Sequence, residues 1–310
     1  MVDSAIFGTP PEPVFNLKGC CLSSELLEEL LYVQAAHNEK AVKNSGSADG
    51  AFKQGSIAEM MFLVCDKFNQ PPEARYLALE IFDRFMTKYA RDQLKKAHSG
   101  RGGYQKKAAT WNSFLRKIQK HLKLYITSCV QIASKMCSHY KILTNRKCSR
   151  FLLDAGLGCT SATILRTELT ILETLDYHVY ATSPLTYIET LLEIMGHNDK
   201  STSMKILHET SMKVMDLAYL RRSAVYDELF RVATGGMTGS AKDRESFAMV
   251  EHDIMLFAVA VIGAASYVID KTTSDQVIDH LSRITCIPTD DILEFATVLV
   301  QITLQLDRHQ

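Results

Sequence analysis

Between Pro72 and Pro184 the chain contains no proline at all, so a third of its length lacks the commonest breaker of long helices. The other prolines sharpen the point. Pro10, Pro11 and Pro13 crowd the first thirteen residues, while Pro71, Pro72, Pro184 and Pro288 stand where helices can start. Asn69 precedes Pro71-Pro72, Ser183 precedes Pro184, and Thr289-Asp290-Asp291 follows Pro288, each a capping type of residue beside an apolar period of three and four. Within the proline-free interval Leu77, Ile81, Phe82 and Phe85, then Leu165, Leu169, Leu172 and Leu175, keep helical spacing, and no Asn-Gly or Asp-Gly turn marks a hairpin. The chain reads as all-α.

A helix is expected from Ser24, with Glu25 and Glu28 in its first turn, and then a polar linker from Asn44 to Gly50. Helices follow near 53–68, 71–90, 108–138, 144–155 and 161–176, and a second set near 184–195, 201–221, 223–233, 248–270, 274–285 and 289–305. The segment Gly235 to Ser240 reads as a loop. Each set holds one helix with no polar face, Leu124 to Ala133 and Ile254 to Ala265, around which its neighbours should pack. The second run is too short to span a bilayer, and no membrane association is expected. At this length disulfides are not needed to hold a core, and the eight cysteines form no C-x-x-C pair. With no leader-like start, the expectation is a soluble, intracellular protein whose cysteines fill apolar space.

Three segments carry a family resemblance. Ala78-Leu79-Glu80-Ile81-Phe82-Asp83-Arg84-Phe85, Gln131-Ile132-Ala133-Ser134-Lys135, and Ile164 to Glu168 leading to Ile171 through Tyr177 resemble the cyclin box in order and spacing. Ser183-Pro184-Leu185-Thr186-Tyr187 looks like the junction after which a second box begins. The resemblance covers roughly residues 52 to 305 and implies tandem five-helix bundles: residues 1–50 as an N-terminal arm and helix, 51–180 as the first box, and 181–310 as a divergent second. It implies a non-catalytic regulatory protein that binds a cyclin-dependent kinase. In the family, a lysine ending the central helix and a glutamate on the fifth helix meet the kinase's regulatory helix; the matching positions are Lys135 and Glu168, with Ile132, Met136, Leu172 and Tyr177 as the apolar surround. Within the family the chain resembles an atypical type associated with meiotic crossover formation, which implies meiotic and repair proteins as further partners and action in the nucleus, with the cytoplasm also open.

The chain departs from the family in three places. Counted back from Asp83-Arg84-Phe85, the first-helix substrate-docking motif falls on Lys53-Gln54-Gly55-Ser56-Ile57, with Met60 at its tryptophan position, so that groove is not expected. After Lys135 come Met136-Cys137-Ser138 in place of an aromatic and two glutamates. The stretch from about 88 to 123 is a basic helical insertion in the first box. From Lys88 to Arg150 there are 16 lysines and arginines against one acid, Asp92, so this stretch carries +15 in a chain of zero net charge. Trp111, Phe114, Leu115, Ile118 and Leu122 mark an apolar stripe there, while Lys106, Lys107, Arg116, Lys117, Lys120 and Lys123 spread over the rest. The basic face suits phosphates, an acidic partner, or plain solvation around a helix glued down by its stripe.

Catalytic signatures are missing from the sequence: no H-E-x-x-H, P-loop, G-x-S-x-G or strand-borne G-x-G-x-x-G. Cys137 with His139, and Cys20-Cys21, fall short of the ligands that zinc needs, so no metal and no cofactor are expected. Two other functions compete with kinase regulation. One is a nucleic-acid-associated scaffold, since the same bundle resembles general transcription initiation factors. The other is a ubiquitin-ligase or repair-factor scaffold that activates no kinase.

Overall fold

The structure, a computed structural model, describes residues 22–44, 50–99, 104–138, 140–198, 202–235 and 241–307. Thirteen helices and no strand occur among them. They form two compact units that divide after Ala181, and the first helix, α1 (Ser24–Lys43), groups with the later unit.

The earlier unit contains α2 (Gly55–Lys67), α3 (Pro72–Ser99), α4 (Tyr104–Cys137), α5 (Asn145–Asp154) and α6 (Ser161–Thr174). Residues 124–134 of α4 are buried on every side, and α2, α3, α5 and α6 all pack on that helix. Enclosed in this way, the stretch needs no face toward water, and its polar members Thr127, Ser128, Gln131 and Ser134 are buried too. Phe85 of α3 seals the contact, its ring 5.2 Å from Tyr89 and 5.5 Å from Tyr125. Asn69, expected to open α3, instead closes α2: it takes φ 49°, and Gln70 N–H then reaches the Cys65 carbonyl at 2.9 Å.

The polar residues of α3 tie both ends of this unit down. Asp83 accepts the N–H groups of Gly50 (2.8 Å) and Phe52 (2.9 Å), fixing the entry to α2. Arg84 donates to the carbonyls of His178 (2.6 Å) and Tyr180 (3.4 Å), and Lys88 pairs with Asp176, fixing the exit from α6. Burial pushes the Asp83 carboxyl above the usual carboxylate range, with nearby Lys53 opposing the rise. Asp83→Ala strands two amide donors and is expected to cost about 2 kcal/mol in a thermal or urea melt. Asp83→Asn keeps one acceptor and buries no charge, so it should cost less.

In the later unit α7 (Pro184–Asn198), α8 (Met204–Leu220), α12 (Ser274–Thr285) and α13 (Thr289–Asp307) pack around α11 (Ile254–Ile269), as the first unit's helices pack around α4. Two further helices, α9 (Arg222–Ala233) and α10 (Ala241–His252), lie in the connection between α8 and α11. Gly263 lets α11 sit close to its neighbours: a Cβ there would lie 3.4 Å from both the Ala296 Cβ and an Ile278 side-chain carbon. No single described helix is long and apolar enough to cross a membrane.

Four differences from the sequence reading have physical causes. The helix expected over 248–270 is two helices, because Asp253 breaks it and caps α11 by accepting the Leu256 N–H at 2.8 Å. The helix α10 begins seven residues earlier than any helix expected there; it has no apolar stripe, and Phe247 holds it by packing on Phe230 at 5.2 Å. The helices that carry the basic insertion are longer than the expected 71–90 and 108–138: α3 runs on to Ser99 and α4 starts at Tyr104, and the two pack together as a helical hairpin. Finally, α1 is part of the later unit: Gln34 donates to Thr190 (2.8 Å), Tyr187 donates to the Gln34 carbonyl (3.0 Å), and Asn38 binds Asp253 (2.8 Å). The predicted loop at Gly235–Ser240 lies outside the described residues beyond Gly235, which takes the left-handed φ of 62° just past α9.

Candidate functional site

Each polar residue of the segment Gln131 to Lys135 fixes a different element. The Gln131 amide reaches Asn145 at the start of α5. Ser134 Oγ accepts the Leu143 N–H at 3.0 Å, and Ser138 Oγ accepts that of Lys141 at 2.7 Å. Gln70 donates to the Lys141 carbonyl at 2.8 Å, so the α4–α5 connection is held from three sides. On this platform Lys135 Nζ meets Glu168 Oε1 of α6 in a direct ion pair. Glu168 is largely buried and Lys135 partly open. Cys148 lies near enough to feel both charges: burial pushes its thiol up to about 12, with Glu168 adding to the rise and Lys135 opposing it.

The apolar surround differs from expectation in two respects. Ile132 is only 3% exposed, because it belongs to the buried segment of α4, so it supports the site from below and is not available to a partner. Leu165 and Leu169, whose spacing marks them as helical and which are not among the expected surround, are 51% and 47% exposed. The buried face of α6 is Ile164, Glu168, Ile171 and Leu175, while Leu165, Leu169 and half-buried Leu172 share the adjacent outward face at i, i+4 and i+7. Met136 and Tyr177 are exposed as expected, and Tyr177 holds a left-handed φ of 62° at the end of α6 while its N–H caps the Leu172 carbonyl at 2.8 Å. Exposed leucines at helical spacing, beside a charged pair already in position, make a surface suited to receiving another macromolecule.

Of the basic residues of the insertion, Arg116, Lys117 and Lys120 are exposed, and Lys123 donates to the Ala155 carbonyl at 2.9 Å. The side chains of Lys106 and Lys107, like Cys20, Cys21 and His139, lie outside the described residues. Among those described, no group of three or more His, Cys, Asp and Glu could hold a metal ion. Burial also pushes the Cys65 and Cys137 thiols up to about 12, which makes them poor nucleophiles at neutral pH. Cys286 is exposed, and of the described cysteines it is expected to react first with a maleimide; Cys65, Cys129 and Cys148 should react only on unfolding, as mass spectrometry of timed labelling would show.

The description of the cyclin N-terminal domain family matches residues 32–180. Over 279 residues the chain is 33% identical to mouse cyclin N-terminal domain-containing protein 1, covering 90% of this chain and 84% of that protein. The chain belongs to the cyclin family. It is 31% identical to the human protein of the same description over the same length. As the family implies, this cyclin brings the central-helix lysine and fifth-helix glutamate together on one face. Lys53, the first residue of the segment where no docking groove is expected, has its ammonium taken up by Glu80 of α3.

Proposed function

We propose that this cyclin is a non-catalytic regulatory subunit that grips the regulatory helix of a cyclin-dependent kinase on the α4–α6 face, and that it acts in the nucleus during meiotic crossover formation. The observation that carries the kinase reading is the Lys135–Glu168 pair flanked by the outward face of Leu165, Leu169, Leu172, Met136 and Tyr177. The pair uses one oxygen of Glu168 and one ammonium hydrogen of Lys135, leaving further donors and acceptors for a partner. Both ends are oriented in advance, which lowers the ordering cost of binding. With the two glutamates after Lys135 replaced by Cys137 and Ser138, binding rests more heavily on the apolar face than on charge. A kinase helix held this way is biased only as far as its two states differ in affinity for the cyclin. The meiotic setting is supported by the resemblance over nearly the whole chain to cyclin N-terminal domain-containing protein 1.

The test is co-expression with a panel of cyclin-dependent kinases, scored by co-purification and then by kinase activity. Leu169→Glu alters an exposed position and should shift stability by no more than about 0.5 kcal/mol while abolishing co-purification. Glu168→Lys should abolish it too, and the exchange Lys135→Glu with Glu168→Lys should restore the fold's ion pair but not the kinase. Undiminished kinase binding by Leu169→Glu and Glu168→Lys rejects this face.

A further inference from the structure

The α3–α4 hairpin carries a second surface, about 30 Å from Lys135 along α4 at 1.5 Å per residue. A groove of about 380 Å³ opens there between Leu94 of α3, Trp111, Phe114, Leu115 and Ile118 of α4, and Phe52 before α2. None of its lining residues comes from α2 itself, so it is not the first-helix docking groove. Apart from buried Thr87, the one polar side chain lining it is that of Arg91. Lys95 follows Arg91 one turn later, and among the described residues neither has an acidic partner. Leu94 and Leu115 are exposed on opposite walls.

We propose that this groove receives an acidic amphipathic helix of a partner protein. The apolar walls call for apolar anchors, and helices on both sides expose no strand edge that an extended peptide could join. A helix arrives with its backbone hydrogen bonds already satisfied. Charge selects the other face of the guest. From Lys88 to Lys123 the only acid is Asp92, so the hairpin's field draws carboxylates in, and Arg91 stands at the groove to pair with one. Nucleic acid fits this groove badly. At about 100° per residue, Arg116, Lys117 and Lys120 point away from the face that holds Trp111, Phe114, Leu115 and Ile118, so a phosphate backbone would lie on the far side of α4 and leave the groove empty.

Trp111 is the chain's single tryptophan, so its emission reports on this groove alone. The probe is a phage-displayed library of peptides of about 16 residues, long enough to be helical, with apolar residues fixed at i, i+4 and i+7 and all other positions free. It is panned on the full chain and depleted on the Leu115→Glu variant. Enriched peptides are expected to be acidic, to shift Trp111 emission to shorter wavelength, and to bind roughly tenfold more weakly to Arg91→Glu. Circular dichroism checks that both variants stay folded, and kinase co-purification should be unaffected by Leu115→Glu. Neutral or basic winners, no enrichment, or binding without a Trp111 shift overturns the proposal. So does duplex DNA that shifts Trp111 emission and loses that effect in Leu115→Glu.

Discussion

Asn38→Ala is expected to destabilise the later unit by about 3 kcal/mol and to strip hydrogen-exchange protection from the first turn of α11. The reason is a cap supplied from far along the chain. The Asn38 carboxamide oxygen accepts the N–H groups of Ile254 (2.8 Å) and Met255 (3.2 Å), and its nitrogen donates to Asp253 Oδ1 (2.8 Å). That same Oδ1 accepts the Leu256 N–H. Together Asn38 and Asp253 satisfy three of the orphan donors at the start of the helix on which the unit is built. Alanine leaves two of them without a partner where Asn38 is buried and little water can replace it. Asn38→Asp separates the contributions: it keeps the acceptor but sets a second carboxylate against Asp253, so it should also destabilise, and less so as the pH falls and one carboxyl is protonated. A melt of Asn38→Ala within about 0.5 kcal/mol of the natural chain would show that α1 is not structurally joined to this unit.

The helices were legible in the sequence where prolines and an apolar period coincide, as at Pro72, Pro184 and Thr289. They were hidden where stability comes from elsewhere. The α10 segment has no stripe of its own and leans on Phe230 of α9. The bond from Asn38 to Asp253 crosses 215 residues and leaves no local trace. Periodicity also shows which residues share a helix face without showing which way that face looks. Leu165, Leu169 and Leu172 form as good a stripe as Ile164, Ile171 and Leu175, and the core took the second. Glu168 lies on the buried face of α6, and a carboxylate is buried only when paired; its partner is Lys135.

The three segments that resemble the cyclin box owe their legibility to polar residues, each of which holds a different part of the unit. Asp83 holds the start of α2, Arg84 the chain after α6, Gln131 the start of α5, and Lys135 the middle of α6. Apolar core positions accept many residues of similar volume, whereas these require a given donor or acceptor at a given place. The residues that made the fold recognisable are thus also the ones that make the Lys135–Glu168 face rigid.

Phe85→Ala is expected to have the largest effect of any single truncation in the earlier unit, about 3–5 kcal/mol, because it empties the joint between α3 and α4. Phe85 is fully buried and begins a run of aromatic contacts that leads from the core out to the groove: Phe85 to Tyr89 at 5.2 Å, Tyr89 to Phe114 at 5.5 Å, and Phe114 to Trp111 at 5.1 Å. Burial, with Tyr89 adding to it, pushes the Tyr125 phenol beside Phe85 up to about 12. Urea unfolding followed by Trp111 emission should therefore show a lower midpoint in Phe85→Ala. Phe114→Ala, at a half-exposed position farther out, should cost markedly less yet change the native emission more, since it removes the ring that touches Trp111. The reverse order would mean that the hairpin is held by its outer stripe, with the Phe85 joint contributing little.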